Sequence, residues 1–289
     1  MAEPPSIAVI GPGAIGGVVA AWLAQGNRSV TVCARTPLGD LRVETPDGPI
    51  VASPLVLTDP GTAGPVDWVL VAAKAYDVES TAPWLQRLVG PATRVAVLQN
   101  GVEHVERFRH LVDESKIVPA VVDIPASRTA PGQVVQHAYG TIVVPAGPDG
   151  DAFVALFRGT KIAASTDPDF RSRAWQKLCV NAAGAVPTLT LAPLGPRWTP
   201  ELEALVRAVV EECAAVGRAE GAVIPQPVID TVVERSRAAT GRNSIWADRL
   251  AGRPIEIEAR NGVIVRLGRA HGIPTPVSEI IVTLLRAAG

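Results

Sequence analysis

IAVIGPGAIGG, residues 7–17, decides the fold. Ile7, Ala8, Val9 and Ile10 read as a short buried strand. Gly11-Pro12-Gly13-Ala14-Ile15-Gly16 follows with G-x-G-x-x-G spacing, and an apolar helix from Ala14 to about Gln25 comes next. Strand before and helix after give this spacing its meaning. Gly11 permits a tight turn, Gly13 lets a pyrophosphate approach the backbone, and Gly16 lets helix and strand pack closely. The free N–H groups of Ala14 and Ile15, at the positive end of the helix, then face the phosphates. The stretch predicts a dinucleotide site. A tight strand–helix turn with no ligand is the plain alternative.

Outward from this turn, residues 30–34 (VTVCA) read as the second strand. Its end bears on the cofactor. An acidic residue there accepts from a ribose 2′-hydroxyl, whereas an arginine nearby suits a 2′-phosphate. The chain continues Ala34-Arg35-Thr36, with no acid before Asp40. Arg35 can fork onto a phosphate, so NADP is expected over NAD. Residues 39–57 suggest a loop and two short strands. The apolar run 66–73 fits a parallel strand buried on both faces, with Lys74 at its carboxyl end. A helix at 78–88 and a strand at 94–98 lead to Gln99-Asn100-Gly101. Three strand ends thus bring a glycine turn, Lys74 and Asn100 to one edge of an open α/β sheet, where such sheets bind ligands. Alone, Lys74 reads as a surface lysine and Asn100-Gly101 as a turn.

Residues 116–124 form another β-type run. Runs at 134–144, interrupted by Gly140, and 161–164 read as later strands at one edge of the sheet, with antiparallel pairing open. Beyond Asp167-Pro168-Asp169 the strand pattern ends. Helices are expected at 169–185, 200–220, 225–238, 255–271 and 276–287, with a short one at 245–250. The fold expected is an N-terminal α/β domain, residues 1–167, followed by an all-α domain, residues 168–289, with a cleft between them. Lys177 and Asn181 lie four apart on one helical face. Lys177 either snorkels to water or serves as a desolvated acid toward a carbonyl. Asn243 or Ser244 suits a helix N-cap, and Asp248 and Glu256 read as acids near helix starts.

Composition narrows the partners. A formal net charge of −1 over 289 residues gives no electrostatic case for nucleic acid or a membrane surface. A hydrophobic share of 47% supports a large core, yet no apolar run reaches transmembrane length. The first residues, MAEPPS, are polar, and no leader peptide is expected. Cys33, Cys179 and Cys213 are odd in number and scattered, which fits buried thiols in a reducing cytoplasm. His104, His110, His137 and His271 show no metal spacing, so no metal is expected. A small molecule is the expected partner.

Taken together the motifs resemble the ketopantoate reductase (2-dehydropantoate 2-reductase) family. The carriers are GPGAIGG at 11–17, Arg35, AAKAYD at 72–77, QNG at 99–101 and KLCVN at 177–181. NSIWAD at 243–248, IEIEARNG at 255–262 and RLGRAHGIPTPV at 266–277 complete them. The resemblance spans nearly the whole chain in matching order. It implies a Rossmann domain for NADPH, a helical domain for substrate and dimerisation with a homodimer left open, and reduction of a 2-keto acid in pantothenate biosynthesis. Lys177 would match the catalytic acid, and Asn100 would position nicotinamide and substrate. Lys74 would lie against the cofactor. Asn181 and Ser244 would hold polar groups of the substrate, and Glu256 would orient its hydroxyl. One position departs. Members that reduce ketopantoate commonly carry a second asparagine one turn after the first, and here that residue is Ala185. A paralogue acting on another ketone, an NADP(H)-sensing protein without turnover, and a β-hydroxyacid dehydrogenase remain open.

Overall fold

The computed structural model of the chain describes residues 4–288. The first half of the polar MAEPPS start, residues 1–3, and Gly289 lie outside them. The chain divides into two compact units. One takes in the chain up to Gln99 together with Glu103–Phe170. The other takes in Asn100–Val102 and the chain from Arg171 onward.

The first unit opens with β1 (Ser6–Ile10), which turns through the glycines into α1 (Ala14–Gln25) and returns as β2 (Ser29–Cys33). Then come β3 (Leu41–Thr45), β4 (Gly48–Ala52), β5 (Leu55–Leu57), β6 (Trp68–Val71), α2 (Ala82–Leu88), β7 (Arg94–Val97), α3 (His104–Phe108) and β8 (Ile117–Pro119). Six of these strands form a fully parallel sheet in the order β5-β2-β1-β6-β7-β8. The chain leaves β1 in both directions, so the order reverses beside it, at the carboxyl end where the glycine turn sits. Alternation along the strands fills two cores. Ile7, Val9 and Leu70 face α1, while Ala8, Ile10, Val69 and Val71 face Trp84, Leu85 and Phe108. Burial on both faces is why these strands read as unbroken apolar runs.

The glycines are set by sterics. Gly11 has φ +87°, and a Cβ there would lie 2.8 Å from Ala73 N. A Cβ on Gly16 would lie 2.2 Å from Gly11 O and 3.0 Å from the Ala72 Cβ. Close approach of helix, turn and neighbouring strand end thus excludes any side chain at either position.

Later strands differ from expectation. The run 116–124 divides at Ala120 into β8 and β9 (Val121–Asp123), since Pro119 has no N–H to continue a ladder. The expected strands at 134–144 and 161–164 do not extend the parallel sheet. They belong to β11 (Gln133–Gln136), β12 (Thr141–Pro145) and β13 (Ala163–Asp167), with β10 (Ala126–Ala130) before them and α4 (Pro148–Leu156) between the last two. A four-stranded sheet, β10-β11-β3-β4, covers the other side of α1, and a separate three-stranded sheet, β13-β12-β9, adds Ile142 and Val144 to the same core. The first of these explains α1. It is apolar all round because sheets flank it on both sides, and Trp22 Nε1 donates to Gln136 Oε1 at 2.9 Å across one of them. Gly140, between β11 and β12, has no room for a side chain, since a Cβ there would meet Asp123 O at 2.5 Å.

The second unit is helical: α5 (Phe170–Ala183), α6 (Ala185–Thr190), α7 (Pro200–Ala219), α8 (Gln226–Ala238), α9 (Ser244–Leu250), α10 (Val263–Ala270) and α11 (Pro276–Ala287). The helix expected through residue 185 stops at Ala183. Pro187 lies in the first turn of α6 and has no N–H to carry the α5 ladder onward. The helix expected over 255–271 starts as a π-helical turn, Glu258–Gly262, ahead of α10. All three cysteines are buried. Among the described residues no helix is long and apolar enough to cross a membrane.

Because backbone atoms block a Cβ at residue 16, Gly16→Ala should destabilise the protein by about 1–3 kcal/mol, the usual range for overpacking. Urea unfolding measures it, and an unchanged midpoint would contradict the steric account.

Candidate active site

In the first unit the glycine turn delivers α1 with no side-chain cap and no acidic residue in its first turn. The leading N–H groups, those of Ala14, Ile15 and Gly16, are the ones a helix leaves without intrahelical partners. Gly13 differs from Gly11 and Gly16, since a Cβ there would meet nothing within 4 Å. No steric demand of the protein requires a glycine at 13, and the open space lies over the helix start. That combination fits a pyrophosphate. Arg35, two residues past β2, has a side chain 83% exposed and stands 3.4 Å from Asp77 Oδ2. An exposed pair like this contributes only about 0–1 kcal/mol, so the guanidinium can turn to a phosphate at little cost. Lys74 is half-buried in the loop after β6.

Gln99, which the sequence reading passed over, ties two strand-end loops together. Its Nε2 donates to Ala73 O at 2.9 Å and to Lys74 O at 3.3 Å. Its Oε1 accepts from Arg107 Nη1 at 2.9 Å, and its backbone oxygen lies 3.0 Å from His104 Nε2. A carbonyl only accepts, so that nitrogen carries the proton. Burial, with Arg107 adding to it, pulls His104 down to about 3, so the ring is neutral at ordinary pH.

In the second unit Asn100 Nδ2 donates to Glu256 Oε2 at 3.0 Å, and Asn181 Nδ2 reaches Asn100 Oδ1 at 3.4 Å. Glu256 is only 4% exposed. A carboxylate so buried costs several kcal/mol unless donors reach it, and Asn100 supplies one. Lys177 is half-buried one helical turn before Asn181 on α5. These four side chains therefore stand on α5, the segment 100–102 and the approach to α10.

Ser244 is exposed and is the first residue of α9, whereas Asn243 is its N-cap, accepting from Trp246 N at 3.0 Å. Asn243 Nδ2 also donates to Gly184 O at 2.7 Å, fastening α9 to the start of α6. Asp248 is buried and pairs with Arg253 Nε at 2.9 Å. Ala185 is fully buried and packs into the apolar core of this unit.

The sequence reading also gave no role to Arg260. It is 2% exposed, and its Nη2 donates to Asn181 O at 2.7 Å. Its neighbour Asn261 donates to Ala182 O at 3.3 Å. Together they cap carbonyls that the end of α5 leaves unpaired, a favourable place for a cation. Burial pulls Arg260 down to about 10, while Glu256 and Asp248 act to keep it charged. Its Nε is buried with no hydrogen-bond partner among the described residues, at a cost of about 1–3 kcal/mol. The signal available in the sequence was Arg-Asn-Gly directly before the apolar run Val263-Ile264-Val265 at a helix start.

Comparison with known proteins bears on what this arrangement does. Residues 7–149 match the family described as ketopantoate reductase PanE/ApbA, and residues 169–289 match its C-terminal part. A 2-dehydropantoate 2-reductase of Caulobacter vibrioides is 54% identical over 286 residues, covering 98% of this chain and 99% of that one. The chain belongs to the ketopantoate reductase family. A 2-dehydropantoate 2-reductase of Mycobacterium tuberculosis is 42% identical over 98% of this chain and 97% of its own. The crystal structure of a PanE/ApbA family ketopantoate reductase from Ralstonia eutropha JMP134 superposes with TM-score 0.90 at 31% identity, covering 98% of each chain. Family membership makes the chain an oxidoreductase with a nicotinamide cofactor.

His104 gives a pH test. Its folded value lies below the ordinary 6.5, so between about 3 and 6.5 the unfolded chain binds more protons and stability falls as pH falls. From pH 7 to pH 5 the wild type should lose about 2 kcal/mol more than His104→Gln. Urea unfolding of both proteins at the two pH values checks this.

Proposed function

We propose that the chain reduces 2-dehydropantoate to pantoate with NADPH, with Lys177 as the general acid. The observation that carries the reading is the hydrogen-bonded set Asn181–Asn100–Glu256, with Lys177 one turn from Asn181 on the same helix. The relatives named above support the substrate.

In this reading the first unit holds the dinucleotide and the helical unit holds the keto acid. The backbone around Gly11, Gly13, Ala14, Ile15 and Gly16 takes the pyrophosphate, Arg35 takes the 2′-phosphate, and Lys74 and Asn100 flank the remainder. NADPH, when bound, supplies the hydride. As negative charge grows on the keto oxygen, the Lys177 ammonium stabilises it and gives up a proton to it. Asn100, held by its donation to Glu256, positions the substrate and nicotinamide. Glu256 accepts from the substrate's hydroxyl, and Asn181 and Ser244 bind its other polar groups. Ala185 offers no amide at the position where ketopantoate-reducing members commonly have one. A related 2-keto acid is therefore the second reading. A homodimer in the cytoplasm goes with the proposal.

Steady-state NADPH oxidation with 2-dehydropantoate beside a panel of 2-keto acids tests the proposal. It predicts the highest kcat/KM for 2-dehydropantoate, and a better substrate elsewhere in the panel would select the second reading. Lys177→Ala should lose about 10²–10⁴ in kcat with NADPH affinity little changed. Unaltered turnover would remove Lys177 from the chemistry. Arg35→Asp should weaken NADPH by about 10–100-fold and shift preference toward NADH, because a charge-assisted contact is worth about 1.5–3 kcal/mol. Retained preference for NADPH would contradict the phosphate role.

A further inference from the structure

We propose that Arg260 is a positioning residue that sets specificity for an anionic keto acid, acting on the substrate carboxylate through the Ser244 hydroxyl. The proposal rests on the reading of Ser244, Asn181 and Glu256 as substrate-binding groups.

Three observations lead to it. Arg260 Nη1 donates to Ser244 Oγ at 3.3 Å. A serine oxygen that accepts from a guanidinium points its own hydrogen elsewhere, and Ser244 is exposed whereas Arg260 lies beneath it. The outward group is then a donor with a positive charge behind it, which suits a carboxylate and disfavours a donor.

Second, Arg260 is a poor choice as a purely structural residue. A buried cation with an unpaired Nε–H carries a desolvation cost that an apolar arrangement of this region would avoid. Its charge is kept by Glu256 and Asp248, and the same guanidinium reaches both the Ser244 hydroxyl and the Asn181 carbonyl.

Third, room for the guanidinium is made where this chain departs from its family. A Cβ on Gly184 would lie 3.0 Å from Arg260 Nη2 and 3.1 Å from Asn243 Nδ2. Gly184 precedes Ala185, the position that lacks the second asparagine. The fork that reaches Ser244 and Asn181 O thus packs against Gly184, the residue before that position. It adds a polar donor near the substrate groups without adding one at residue 185.

The test is kinetic. KM and kcat for 2-dehydropantoate, KM for NADPH and melting temperature are measured for wild type, Arg260→Met, Arg260→Lys, Ser244→Ala and the Arg260→Met/Ser244→Ala double variant. Arg260→Met should keep the NADPH KM and raise the keto-acid KM about 10–100-fold, with kcat within about threefold, beyond the fall in melting temperature that loss of the contact to Asn181 O brings. Arg260→Lys should recover part of the loss. In the Ser244→Ala background the Arg260→Met change should add less than about threefold, because one interaction has already been removed. Independent multiplication of the two losses, or a fall in kcat with no change in KM, overturns the proposal. Should Arg260→Met fail to fold, Arg260→Gln decides the same question, since it keeps a donor and drops the charge. Wild-type turnover separates the two claims. If 2-dehydropantoate is not a substrate, the functional reading fails, and the same variants are compared on whichever keto acid is turned over. An unchanged KM in Ser244→Ala overturns the Arg260 proposal while the reaction itself stands.

Discussion

A carboxylate buried like that of Glu256 can persist only with donors and positive charge around it, and much of the helical unit near it meets that demand. Asn100 gives it a hydrogen bond. Arg260, one turn further along, lies in its electrostatic reach. Asn181 joins through Asn100, and the carbonyl of Asn181 in turn accepts from Arg260. The network closes on the end of α5, whose unpaired carbonyls attract a cation. The break in helix at Gly184 and the π-helical turn at 258–262 are the backbone features that allow these side chains to meet.

Conflicts with ordinary packing gather in the same region. Trp246 Nε1, Arg260 Nε and Asn261 Oδ1 are buried without hydrogen-bond partners among the described residues. A core selected for stability alone would replace them with apolar groups. Departures of this kind are expected where function holds side chains in place. The first unit has fewer such atoms among the described residues, Gln136 Nε2 and Tyr139 Oη. Its sheet is packed on both faces by apolar side chains, and its special features are glycines excluded from carrying a Cβ by neighbouring backbone.

The parts legible in the sequence were those that local chemistry determines. Continuous apolar runs gave the central strands, the glycine spacing gave the turn into α1, and Pro200 and Pro276 marked helix starts. The division of the later strands among two further sheets was not legible. Period-2 alternation identifies a strand but not its partner, and β11 pairs with β3, some ninety residues earlier. The start of α6 was hidden because an alanine-rich run with one proline reads as a helix end. Within the candidate site, Lys177 and Asn181 share a face by spacing alone. The approach of Asn100 to Glu256 spans 156 residues and that of Arg260 to Asn181 spans 79. No spacing rule reaches that far, and only the resemblance to a family pointed to Asn100 and Glu256 together.

The most direct test is a crystal structure of the protein with NADP+ and pantoate bound. The account predicts the pantoate 2-hydroxyl about 3 Å from Lys177 Nζ, with its carboxylate on Ser244 Oγ and another hydroxyl on Glu256. Pantoate bound with its 2-hydroxyl turned away from Lys177, or seated away from Asn100, Asn181 and Glu256, would contradict it.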